Sequence, residues 1–189
     1  FSGDRIPARA IAKVVAVADR VDTLTGIFAT GLKPSGNKDP FALRRAALGL
    51  IRLLLDGGLN ITLDEVLTIA ASAVMQQLPV SVQSSQELRR FIIERLKHHL
   101  LDLDYDTSLV NAVLDAPLGS LPDLVHRLDA LAEFMGNDSG LILAAANKRI
   151  ANILRKSKPV TDNTIKEDIL VIDEEKLIFE EIRNISKTL

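Results

Sequence analysis

At 189 residues the chain has room for one large domain or two small ones, with 47% hydrophobic residues for a core and 25% charged residues. A formal net charge of −2 excludes coating nucleic acid by bulk attraction, and the absence of Cys excludes disulfides and thiolate metal sites. Aromatics are 4%, Trp is absent, and Gly and Pro are few, a palette that predicts an all-α protein built on Leu, Ile, Val and Ala. Charges break every apolar run short of membrane-spanning length, no signal peptide is visible, and a reducing cytoplasm suits the lack of Cys. A start at Phe1 instead of Met suggests part of something longer.

Residues 1–7 read as an irregular lead-in, with Gly3-Asp4 as a turn signal. A helix is predicted over 8–28, its apolar stripe running through Ile11, Val14, Val15, Ala18, Val21 and Leu24-Thr25. Asp19 and Asp22 project from one side of it. They suit ion pairing with Arg20, Lys13 or the next loop better than a remnant metal or acid–base pair. Next comes a glycine-rich loop carrying Lys33 and Lys38, in which Gly31 and Gly36 permit tight turns. Asp39 is expected to cap a helix with Pro40 at its first position, continuing to about Asp56 before Gly57-Gly58 stops it. Arg45 and Arg52 share a stripe of that helix and Arg44 is a neighbour. Lys33, Lys38, Arg44, Arg45 and Arg52 therefore form a candidate grip for a polyanion, the alternative being an ordinary solvated face.

Thr62 and Glu65 have capping-box spacing and open a helix through Leu67, Ile69, Ala70, Ala73, Val74 and Leu78, which Pro79 should end. The Ser- and Gln-containing stretch 80–85 is the expected linker between 1–79 and 86–189. A helix over 86–101 turns Leu88, Phe91, Ile92, Leu96 and Leu100 inward. His98 and His99 point about 100° apart and make no joint metal site. Shorter helices follow from Asp106–Ser108 to Asp115, and from Ser120 or Asp123 along Leu124, Leu128, Leu131 and Phe134-Met135. After the loop 136–140, a helix over 141–156 is expected to bury Ala146, Ile150, Ile153 and Leu154. Its other face carries Lys148, Arg149, Asn152, Arg155 and Lys156, suited to phosphates or base edges of single-stranded RNA. Residues 160–168 read as a polar, flexible loop, and Asp173 as the cap of a last helix with Leu177, Phe179, Ile182 and Ile185.

Two stretches carry a resemblance. The run Lys38-Asp39-Pro40-Phe41-Ala42-Leu43-Arg44-Arg45-Ala46-Ala47 is the more specific. Around it stand Asp19-Arg20-Val21-Asp22-Thr23-Leu24, Gly26-Ile27-Phe28, Gly31, Lys33-Pro34, Gly36 and Gly49. Together they resemble the β-subunit of bacterial-type, two-subunit glycyl-tRNA synthetase. Asn147-Lys148-Arg149 with Asn152-Ile153-Leu154, inside 127–156, is similar to the anticodon-binding (DALR-like) helix bundle of that subunit, related to the one in arginyl-tRNA synthetases. The resemblance implies the end of an HD-like helical domain over 1–79 and an anticodon-binding bundle over 86–189, truncated at Leu189. The histidine–aspartate pair of HD domains would lie upstream, so no hydrolase site is implied.

It also implies an α2β2 holoenzyme that joins glycine to tRNA-Gly with ATP and magnesium in the cytoplasm. Activation would belong to the α-subunit and tRNA positioning to this one, with no catalytic residue, cofactor, metal or membrane contact here. Lys33, Lys38, Arg44, Arg45 and Arg52 would then face the tRNA backbone, and Asn147, Lys148, Arg149, Asn152 and Arg155 the anticodon. The rival reading is a helical scaffold that binds no RNA and holds the α-subunit or the rest of the β-subunit. Apolar exposure on the first two helices would be its mark.

Overall fold

Eight helices form among the residues that the computed structural model describes, 5–156 and 169–186. They are α1 (Ala10–Ala29), α2 (Leu43–Asp56), α3 (Leu63–Val74), α4 (Val82–Leu101), α5 (Thr107–Asp115), α6 (Leu121–Met135), α7 (Asp138–Lys156) and α8 (Asp173–Ile185). The protein is all-α: no strand occurs among the described residues, only a bridge between Ser35 and Lys38. The turn expected at Gly3-Asp4 and the loop expected over 160–168 lie outside the described residues.

Contacts divide the chain into a unit of Phe1–Leu141 and another of Ile142–Leu189. In the first, α4 packs on α1, α2, α3 and α5, while α6 packs on α5 and α2. One apolar cluster runs through all six helices, with Leu24, Leu50, Leu54, Ile92, Leu96 and Leu124 fully buried. The i, i+4 spacing of Leu88, Ile92, Leu96 and Leu100 stacks four buried side chains along one face of α4. Phe28 meets Phe91 with ring centroids 5.3 Å apart and adds an aromatic contact between α1 and α4.

Local signals account for most helix starts. Thr62 Oγ1 accepts from the Glu65 N–H at 3.2 Å, and Glu65 Oε2 accepts from the Thr62 N–H at 2.8 Å, completing the expected capping box. Asp106 caps α5 through the Ser108 N–H, and Ser120 caps α6 through the Asp123 N–H. Of the stretch 80–85, residues 82–85 are the first turn of α4. Ser81 caps α4 by accepting from the Ser84 N–H at 3.0 Å, and the helix then runs directly into the core. Pro79 is not what ends α3, which stops at Val74 before a series of turns.

Two apolar stripes differ from expectation. On α1 the buried residues are Val17, Val21, Leu24, Thr25 and Phe28, whereas Ile11, Val14 and Val15 are exposed. On α7, Ala146, Ile150, Ile153 and Leu154 were expected inside, but all four are exposed. No residue of α8 is buried. Its first turn is closed by Glu175, which accepts from the Val171 and Ile172 N–H groups, and not by Asp173, which pairs with Lys176 at 3.6 Å.

Candidate functional site

The loop between α1 and α2 is built by short-range bonds. Ser35 and Lys38 exchange backbone hydrogen bonds of 3.1 and 2.9 Å, with Gly36 at φ +51° between them, a left-handed conformation glycine adopts without penalty. Asp39 caps α2, accepting from the Leu43 N–H at 2.8 Å and the Arg44 N–H at 3.0 Å. Pro40, expected at the first helical position, instead occupies a turn closed by the Ala42 N–H to the Asp39 carbonyl at 3.1 Å. Ala42 then adopts a left-handed conformation, so the helix begins only at Leu43.

This start aims α2's arginines at a cleft of about 1150 Å³ within the first unit. Arg44, Arg45 and Arg52 line it from α2, and Arg20 lines it from α1. Arg95, His98 and His99 come from α4, and Arg5 from the segment before α1. Among the described residues the lining holds six arginines and two aspartates, Asp19 and Asp102, and Arg45 and Arg52 each have a further interaction. Like charges drawn together cost stability, and an anion between them removes that cost.

Neutral acceptors hold two of these arms. Arg20 Nη1 donates to the Ala16 carbonyl at 2.9 Å, and Arg44 Nη2 donates to the Gly36 carbonyl at 2.6 Å. A carbonyl orients a guanidinium without cancelling its charge, so the donors left over stay available to phosphate or carboxylate. On α4, Glu94 Oε1 lies 2.9 Å from Arg95 Nη2 and 4.0 Å from His98 Nε2 and compensates part of that wall. Among the described residues neither Asp19 nor Asp22 forms an ion pair, contrary to the pairing expected for them, and Asp39 is engaged by backbone N–H groups.

Lys33 and Lys38 stand outside the lining of the cleft. Lys33 Nζ pairs with Glu87 Oε2 at 2.8 Å, tying the loop to α4, and that hydrogen bond holds the Glu87 carboxyl below the usual range. Lys38 is exposed, with its backbone committed to the turn. In the second unit, Lys148, Arg149 and Asn152 line a shallow hollow along α7 with Lys156. Asn147 lies outside the hollow, and Arg155 donates to Asn152 Oδ1 at 3.1 Å. Among the described residues α7 alone lines this hollow, which there offers charge and amides.

Sequence reading missed Arg5, Arg20, Arg95, His98 and His99 as lining residues. Two signals were present for some of them. Arg95, His98, His99 and Asp102 follow i, i+3, i+4, i+7 spacing, a single stripe of α4. Gly49, isolated inside an Ala- and Leu-rich helix, signalled a close approach by another group. Among the described residues no cluster of three His, Asp or Glu side chains could hold a metal ion, and no helix is long and apolar enough to cross a membrane.

Comparison with known proteins identifies the family of the chain. The glycyl-tRNA synthetase beta subunit family model matches residues 1–115, which include the loop, α2 and α4. The glycine–tRNA ligase beta subunit of Methylobacillus flagellatus is 39% identical over 178 residues, 94% of this chain and 25% of that protein. That of Ralstonia nicotianae is 39% identical over 182 residues, covering 96% of this chain and 26% of the relative. That of Neisseria meningitidis serogroup B is 41% identical over 179 residues, 95% and 25% of the two chains. The chain thus spans about a quarter of the length of these relatives. Fold and site define a helical module with a cation-lined cleft. The chain belongs to the glycyl-tRNA synthetase beta subunit family.

Proposed function

We propose that this protein positions tRNA-Gly for ATP-dependent ligation to glycine, with the cleft of the first unit gripping phosphates. The observation that carries the reading is the convergence of α1, α2 and α4 arginines in one cleft, two of them steered by neutral carbonyls. Such contacts fix the register of the nucleic acid and carry no sequence information themselves. A second contact on the α7 face, through Lys148, Arg149 and Asn152 with Asn147 and Arg155 beside them, would serve the anticodon side. A tRNA held at two places delivers its acceptor end with less entropy left to lose.

Glycine activation with ATP and magnesium is assigned to an α-subunit partner in an α2β2 assembly, in the cytoplasm. An HD-like domain end over 1–79 and an anticodon-binding bundle over 86–189 belong to the same proposal. A scaffold role is the second reading. The exposed Ile11, Val14 and Val15 of α1 favour it, as do the apolar faces of α7 and α8.

Binding to tRNA-Gly and to a non-cognate tRNA across a salt series separates the two. Salt-sensitive binding supports the grip, and a tRNA-Gly preference lost on Lys148→Ala/Arg149→Ala assigns recognition to α7. No binding at low salt refutes the grip and leaves the scaffold.

A further inference from the structure

We infer that Arg20 is a phosphate-contacting residue of the cleft and that Gly49 is its positioning device, an inference that rests on the phosphate-grip reading above. Gly49 lies inside α2, where glycine lowers helix stability relative to alanine. The Arg20 side chain of α1 crosses directly over it. A methyl group at position 49 would sit 2.5 Å from Arg20 Nε, 3.2 Å from Cδ and 3.5 Å from Cζ. The guanidinium therefore lies on the bare backbone of α2, in the lining that Arg45 and Arg52 share. Packing over glycine at the base and the bond from Nη1 to the Ala16 carbonyl leave the side chain few alternatives.

A bracing role would account for Arg20 if it tied α1 to another element through an ion pair or a hydrogen bond. Among the described residues its hydrogen bond runs within α1, to the residue one turn earlier, and it forms no ion pair. Its charge is thus held in place and uncompensated, which is what a phosphate contact needs. The chemistry on offer is a pre-oriented guanidinium fork for a nucleic-acid phosphate, and the occupant is the tRNA backbone.

The test compares Arg20→Ala, Arg20→Lys, Gly49→Ala and Arg45→Ala for tRNA-Gly binding across a salt series, with thermal unfolding of each variant. Gly49→Ala is the informative change, because the clashing atoms belong to a flexible side chain that can move while α2 stays folded. Arg20→Ala and Gly49→Ala should each weaken binding by about threefold to tenfold and lower the salt slope by about one, with Gly49→Ala unfolding no earlier than the parent. Arg20→Lys should keep the slope. Parent-like binding by Arg20→Ala and Gly49→Ala, with Arg45→Ala weakened, overturns the inference and leaves the cleft reading standing. Parent-like binding by all four overturns both. Loss in Arg20→Ala with none in Gly49→Ala overturns the positioning role of Gly49.

Discussion

An alanine methyl at Gly140 would meet the backbone carbonyl of Phe134, where α6 hands over to α7. Backbone yields far less than a side chain, so Gly140→Ala should lower stability by about 1–3 kcal/mol, measured by urea unfolding. The same change at Gly49 meets only the Arg20 side chain. Acid titration acts through other single residues. Hydrogen bonds from Thr62 lower the Glu65 pKa, that from Lys33 lowers Glu87, and those from Ser108 lower Asp106. A depressed carboxyl stabilises the fold above its unfolded pKa and loses that contribution as pH falls through the folded one. Thermal stability should therefore decline below about pH 4, and less steeply in Glu65→Gln and Glu87→Gln, because those variants have already lost the contribution. An unchanged acid limb in both variants would contradict this assignment.

At the scale of the element, α4 is the member on which the first unit depends. It touches α1, α2, α3 and α5, and it supplies both core leucines and cleft cations. Leu96 is fully buried at its centre, so Leu96→Ala should cost about 2–5 kcal/mol and weaken tRNA binding only where the fold is lost. Guanidinium unfolding followed at two wavelengths checks the cost. How legible each element was depends on what defines it. The α3 start was readable because Thr62 and Glu65 satisfy each other over three residues. The α2 start was displaced because Asp39 and Pro40 suit a turn as well as a helix, and only the left-handed Ala42 decides between them. The α1 stripe was half right, since periodicity marks a face and not how far along the helix its partners reach.

Across the whole molecule, the all-α class followed from composition, and the cleft did not. Arg44, Arg45 and Arg52 were legible as a set because they share one helix. Their meeting with Arg20, Arg95 and the two histidines depends on how α1, α2 and α4 pack, which no local pattern encodes. Lys33 was drawn into the set by closeness in sequence, and it lies outside the cleft lining, paired with Glu87. The most direct measurement is the salt dependence of tRNA-Gly affinity for the parent and for Arg45→Ala/Arg52→Ala, with thermal unfolding confirming that both are folded. A phosphate grip predicts weaker binding at every salt concentration and a log–log slope smaller by about two. An unchanged affinity and slope in a folded double variant would contradict it and turn attention to the exposed apolar faces of α1, α7 and α8.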